Sequence, residues 1–437
     1  MLTGSGWNPW ATSINPRLDA LGAGAGQWRL THLHQYYYST SQEVLHAVKR
    51  YPAYDPPEYV DWKPEPDVMK GFAATLSREP RRAAVVADLS AEKLMGLYEG
   101  MLRFRLHDIT LKRWVRQGVL SKAWLGTGEE AVTVGNVHAL RAADLVGPMI
   151  RNAGACHEMG MPLADMFRAY LGTADQITRG RDIHTGDPRR GVVPPISFVA
   201  SLVPVMAGMA LATRLRGEKR VALTWVGDGA SRTGEFHEGF NFAAVRKLPL
   251  IVVLQDNGIA LGTPTHTHTR ADFTHLGAAY GAASLACDGN NVLDVLAATS
   301  QAVALCREGA GPVLLVAKTF RMGGHATHDE AEGRAIVPAR MFRIWGRRDP
   351  IGMYETWLEQ RQQPLLVGSE NRQVLAEIEE RVIREVEAGA QEALDSRRDS
   401  MPDGRSLQEG VFASGDDPTE PAFPPCPVSD TGAAAHR

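Results

Sequence analysis

Cysteine is scarce: Cys156, Cys287, Cys306 and Cys426 are the only four in 437 residues, and no two form a C-x-x-C pair. That spacing argues against a zinc-thiolate site or a disulfide framework, so a reducing, cytoplasmic setting is expected. Long apolar runs are missing as well. None approaches the roughly 20 residues that a membrane-spanning helix needs. The opening "MLTGSGWNPW" has neither the basic segment nor the apolar core of a secretory signal. Charge of one sign is absent too: 47 Lys+Arg against 50 Asp+Glu leave a net charge of −3. Neither nucleic acid nor an anionic membrane is expected as a partner. What is present, 44% hydrophobic and 22% charged residues, is the make-up of an ordinary globular protein. The length suits two domains or one large α/β domain with extensions.

Texture along the chain divides it. Residues 1–88 mix Trp, Tyr and Pro, as in "RYPAYDPPEYVDWKPEP", and predict an irregular extension. From Ser90, a candidate N-cap, Leu94, Leu97, Tyr98 and Met101 fall on one helical face. An α/β domain is expected over 89–365, a C-terminal helix over 366–396 and a disordered tail over 397–437. Within the domain, the run Val221–Val226 reads as a buried strand, and a helix with Phe236, Phe240, Ala243 and Ala244 on one face follows it. Leu250–Leu254 is the next strand. Asn291 can cap a helix carrying Val292, Val295, Leu296, Val303 and Cys306, and Val313–Ala317 is a further strand. Repeated β-α-β units with near-continuous apolar strands predict a parallel sheet flanked by helices. Ligands of such sheets sit at the carboxyl ends of the strands.

Two strand ends carry chemistry. "WVGDGAS" places Asp228 between two glycines, and "LQDNGIA" delivers Asn257 at the end of the next strand, 29 residues on. Alone, Gly-Asp-Gly is most often a turn, and Asn-Gly is a good hairpin turn. Together, on consecutive parallel strands, a carboxylate, an amide oxygen and a backbone carbonyl suit a hard cation such as Mg²⁺ shared with a phosphorylated ligand.

Gly-Asp-Gly followed some thirty residues later by Asn resembles the thiamine diphosphate motif. The stretch "WVGDGASRTGEFHEGFNFAAVRKLPLIVVLQDNGIALGTPT" is similar to the alpha subunit of the decarboxylating component of 2-oxo acid dehydrogenase complexes, of branched-chain, pyruvate or acetoin type. "GTGEEA", "PMIRNAG", "PLADMFRAYLGT" and "KTFRMGGHATHDE" extend the resemblance from about Ser90 to Met353. It implies a thiamine diphosphate-binding fold. It also implies that Asp228, the Asn257 side-chain oxygen and the Ile259 carbonyl bind Mg²⁺, with Ile at 259 where the family usually has Tyr. Gly229 and Ala230 would offer N–H groups to the diphosphate at a helix N-terminus. Arg151 would pair with phosphate oxygens. Ser197 and the backbone of Val199 would lie against the aminopyrimidine ring. His325, in a tight, mobile loop braced by Arg321, would touch the diphosphate and support acyl transfer. A zinc site from His325 and His328, or from His266 and His268, is the minor alternative.

The resemblance further implies oxidative decarboxylation of a small 2-oxo acid, with the acyl group passing to a lipoyl carrier on an acyltransferase. A separate beta subunit would supply the catalytic glutamate, in an α₂β₂ heterotetramer. Departures from the family lie on the substrate side: Ile150 for Tyr, Leu202 for Gln at a monovalent-cation site, Trp124 for His or another aromatic, and two small residues at Gly323 and Gly324. Two alternatives stay open. One is a self-contained thiamine enzyme of decarboxylase or transketolase type, which needs a second α/β domain in the chain. The other is an inactive scaffolding paralogue.

Overall fold

In the computed structural model, which describes residues 62–409, five strands form one parallel sheet. They are β1 Leu145–Gly147, β2 Ala222–Gly227, β3 Leu250–Asp256, β4 Ala283–Asp288 and β5 Val313–Lys318, in the order β1-β2-β3-β5-β4. The alternation of side chains across the sheet assigns each face its helices. Ala222, Val226, Leu250, Val252, Leu254, Leu314 and Val316 pack on Val203, Met206 and Ala207 of helix Leu202–Leu215 and on Phe236, Phe240 and Ala243 of helix Gly234–Val245. Leu223, Trp225, Ile251, Val253, Val313 and Leu315 face the other way, onto Val132 and Val137 of helix Glu130–His138 and Val295 and Ala298 of helix Val292–Arg307. Both faces are covered, so β2, β3 and β5 are apolar at nearly every position. Trp225 is buried to 1% exposure, and its Nε1–H donates to Asn136 Oδ1 at 2.8 Å, which satisfies its polar edge.

A helical layer lies beyond. Helix Ala91–Arg116 runs through it, packed by Leu163–Leu171, Pro350–Glu359 and Asn371–Asp399. Ser90 caps the first of these, its hydroxyl accepting from Lys93 N, and Asn291 caps its helix through Leu293 N and Asp294 N.

The extension departs from its reading as irregular. Pro66–Ser77 and Pro80–Ala87 are helices, each with proline in its first turn, where the missing N–H costs nothing. Phe72 and Trp62 belong to the core, and Trp62 Nε1–H donates to the Arg347 carbonyl at 2.9 Å. The C-terminal helix continues to Asp399. Residues 1–61, residues 410–437 and Cys426 lie outside the described residues. Among the described residues, no helix is long and apolar enough to cross a membrane.

The register matters most for chemistry. Gly227 pairs with Gln255 across β2 and β3, so Asp228 and Asn257 leave adjacent strands at the same edge of the sheet.

Candidate active site

Asp228 is buried to 1% exposure, and its Oδ2 accepts from Thr265 Oγ1, with His268 Nε2 at 3.5 Å. Ser231 Oγ donates to the Asp228 carbonyl at 2.7 Å and tightens the turn. A Cβ on Gly229 would stand 2.4 Å from Ala260 Cβ, so only glycine lets this turn meet the segment after β3. That segment folds back through Gly258, at φ +85°, into a small antiparallel pairing of Ile259–Ala260 with Thr263–Pro264. Thr265 N–H donates to the Gly258 carbonyl at 3.1 Å, so Thr265 ties Asp228 to the residue after Asn257. Asn257 and Ile259 are buried, and Ile259 N–H donates to Asn257 Oδ1 at 3.3 Å. Asp228, Asn257 and Ile259 are thus brought together, a set of oxygen donors of the kind hard cations take. One expectation shifts. Gly229 and Ala230 enter a 3₁₀ turn, Ala230–Arg232, and the α-helix starts only at Gly234. The Gly-Asp-Gly turn needs room to pass the 259–264 pairing before a helix can begin.

Arg151 and His325 meet across the chain. Arg151 is 8% exposed; its Nε–H donates to the Leu125 carbonyl at 3.1 Å and its Nη2 to the His325 carbonyl at 2.6 Å. The same Nη2 stands 3.3 Å from His325 Nδ1. A guanidinium can only donate, so Nδ1 is the acceptor and Nε2 carries the ring proton. Burial, and then the charges of Arg151 and Arg321, push the His325 imidazole down to about 4. Several hydrogen bonds tie the histidine loop to its surroundings. Arg321 donates to Gly323 O and Leu261 O, Ala326 N–H to Asp329 Oδ1, and Thr327 and Ala123 bond each other twice. Phe320 and Met322 pack on Phe342 and Trp345 below it. Gly324 leaves no room for a side chain, since a Cβ there would fall 2.2 Å from Asp329 Oδ1 and 2.6 Å from Ala326 O.

Glu129 is the residue the sequence reading passed over. It lies in "GTGEEA", is 1% exposed, and its Oε1 accepts from Gln255 Nε2 at 3.1 Å and Asn257 Nδ2 at 3.2 Å. Burial pushes its carboxyl up, opposed by Arg151, Asn257 and Arg321, while Asp228 adds to the upward shift. Glu129 thus lies within electrostatic reach of Asp228, Arg151 and Arg321. Its loop is fixed by other buried acids. Asp108 Oδ2 accepts Gly126 N–H at 2.7 Å, and Glu130 Oε2 accepts Gly128 N–H at 2.9 Å. Glu130, itself pushed up to about 7 by burial, pairs with Arg105, which also binds Asp349 at 2.7 Å. Glu129 Oε2, Thr127 Oγ1 and Asn152 Oδ1 are buried without a protein partner. These orphaned oxygens, with the Asp228–Asn257 pair, fit a cation and its bound ligand.

The remaining candidates lie toward solvent. Ser197 is exposed, with its Oγ 3.1 Å from His184 Nε2, and Val199 is exposed beside Phe198. Trp124 is half-buried, with the Lys122 ammonium 5.3 Å from its ring. Among the described residues, no three His, Cys, Asp or Glu side chains gather as a metal site, so neither histidine pair gains a third such ligand. A cavity of 840 Å³ between helix Pro66–Ser77 and β4 shares no lining residue with these candidates.

A parallel sheet covered on both faces, with an acid and an amide leaving adjacent strand ends beside a buried arginine, defines a phosphate-cofactor-binding α/β protein. Sequence comparison makes the family specific. The family described as dehydrogenase E1 component matches residues 98–400, and this chain belongs to it. The match runs on through the C-terminal helix, past the Met353 limit of the motifs. The chain is 31% identical over 302 residues to the human mitochondrial 2-oxoisovalerate dehydrogenase subunit alpha, covering 67% of each. It is 33% identical over 272 residues to the Caenorhabditis elegans protein of that name, covering 61% of this chain and 62% of that one. The pyruvate dehydrogenase E1 component subunit alpha of Acholeplasma laidlawii is 29% identical over 277 residues, covering 62% and 76%. Several of the 2-oxoisovalerate relatives are matched over only about three fifths of their length.

Proposed function

We propose that this chain is the alpha-type half of a two-subunit, thiamine diphosphate-dependent enzyme. It decarboxylates a small 2-oxo acid oxidatively and passes the acyl group to a lipoyl carrier on an acyltransferase. The observation that carries the reading is the convergence of Asp228 and Asn257 from β2 and β3 at the edge where Glu129 also feels Arg151. Asp228, Asn257 Oδ1 and the Ile259 carbonyl would hold Mg²⁺. The Gly229 and Ala230 N–H groups and Arg151 would take the diphosphate, and Ser197 and the Val199 backbone the aminopyrimidine. When bound, thiamine diphosphate supplies the electron sink for loss of carbon dioxide. His325, neutral with its proton on Nε2, would donate a hydrogen bond to negative charge that develops on the acyl fragment.

A partner follows from what this chain offers. Among the described residues there is one parallel sheet, and the residues at its carboxyl end would serve the diphosphate end of the ligand. Phe198, Val199, Val205, Met209, Leu215 and Val245 expose apolar side chains along the 196–199 stretch and the two helices next to it. A beta-type subunit seated there would enclose the cofactor and bring the catalytic glutamate, and two such pairs close into an α₂β₂ assembly. Among the described residues, three buried, free thiols suit the reducing cytoplasm proposed as its location. Calorimetry tests the site. Asp228→Ala removes the only charged protein ligand proposed for the cation and abolishes Mg²⁺-dependent thiamine diphosphate binding, whereas Asn257→Ala weakens it less. Unchanged affinity in Asp228→Ala contradicts the assignment.

A further inference from the structure

We infer that Glu129 is a positioning residue for the cation, fixing which end of the Asn257 amide faces the metal. This rests on the reading of Asp228, Asn257 and Ile259 as the metal site. An amide side chain has one end that ligates a cation and one that repels it, and the two ends are nearly equal in shape. Something must choose between them. Glu129 Oε1 accepts from Asn257 Nδ2 at 3.2 Å and from Gln255 Nε2 at 3.1 Å. Holding two donors, Oε1 acts as an acceptor whether or not the carboxyl carries a proton on Oε2, which has no protein partner.

The order propagates. Gln255 has its N–H on Glu129, so its Oε1 is turned to Asn152 Nδ2, 3.0 Å away, and Asn152 Nδ2 also donates to Thr133 Oγ1 at 2.8 Å. Turning Asn257 over would set its oxygen against Glu129 Oε1 and its N–H groups against the cation. Both contacts are repulsive, so the flipped rotamer is excluded. The glutamate itself cannot drift, because Asp108 and the Arg105–Glu130 pair clamp its loop. Partners that orient metal ligands in this way are typically worth about 10–100-fold in metal affinity.

Substitutions at Glu129 test this. Mn²⁺ affinity is measured by electron paramagnetic resonance on the assembled full chain, with thiamine diphosphate saturating. Glu129→Met loses at least ~10-fold in Mn²⁺ affinity. Glu129→Gln, whose carbonyl still accepts at the Oε1 position, stays within ~3-fold of the wild type. Glu129→Leu, a second side chain that cannot accept a hydrogen bond, shows the same loss and decides if Glu129→Met does not fold. Wild-type Mn²⁺ affinity in whichever of these two folds, or a loss in Glu129→Gln as large as theirs, overturns the role of Glu129. Asp228→Ala is the control for the underlying reading: wild-type Mn²⁺ affinity there removes the metal site itself, and with it this inference.

Discussion

A neutral imidazole between guanidinium groups decides what His325 can do. Its value near 4 lies below the ordinary histidine range because burial and then Arg151 and Arg321 oppose a positive charge. The unfolded chain takes up a proton near pH 6.5 that the folded chain refuses until about pH 4. Between those values His325 lowers stability as pH falls, and above them it contributes no such penalty. In the cofactor-free protein, an NMR titration of His325 should therefore show a midpoint well below 6.5; an ordinary midpoint contradicts the packing of the loop. Chemistry at this position is separable from binding. His325→Ala should lower turnover by roughly 10²–10⁴-fold, because a positioned hydrogen-bond donor to developing charge is lost in the transition state. Thiamine diphosphate affinity should fall far less, since the cation and Arg151 remain. Near wild-type acyl transfer to a lipoyl acceptor would remove His325 from the chemistry.

Loops between elements place the site, and one of them is built on buried charge. Arg105 is fully buried between Glu130 and Asp349, at the root of the loop that delivers Glu129. Arg105→Ala leaves two acids buried without their cation and should cost about 3–5 kcal/mol in urea unfolding. A loss under ~1 kcal/mol would show that water reaches the pair. Helix Leu202–Leu215 makes a different demand. Met209 lies on its exposed apolar side, so Met209→Glu should leave the thermal midpoint of the lone chain unchanged while weakening assembly with the partner; intact assembly would place the interface elsewhere.

Elements with strong local signals were readable from sequence. β2, β3 and β5 are near-continuous apolar runs, and Ser90 and Asn291 cap their helices as their positions suggest. β1 has three residues, and β4 is "ASLACD", rich in small residues that carry little strand signal. The helices at Pro66 and Pro80 were hidden because a proline-rich stretch looks irregular until its prolines prove to be first-turn residues. The same holds within the site. Asp228 and Asn257 were legible because one strand-helix-strand unit separates them. Glu129 was not, because it bonds residues 126 and 128 positions away, and one of two adjacent glutamates in "GTGEEA" looks like a solvated charge.

At the scale of the whole molecule, the proposed cofactor site is one half of an enclosure. The carboxylate, amide, arginine and glycine turn lie toward the carboxyl end of the five-stranded sheet, and apolar side chains are exposed on the flank beside them. Glu235 and Glu238 are on the helix that follows the Gly-Asp-Gly turn; on the proposed reading that is the diphosphate end, too far to replace a glutamate beside the pyrimidine ring. A self-contained enzyme would need a second sheet to present that acid. The central claim is thus that this chain supplies the diphosphate half and a partner supplies the rest. The direct measurement is decarboxylation of a panel of 2-oxo acids with an artificial electron acceptor, Mg²⁺ and thiamine diphosphate, first with this chain alone and then with its beta-type partner. Turnover should appear only when both are present, and it should vanish without the cofactor. Robust, cofactor-dependent turnover by the lone chain would contradict the two-subunit account.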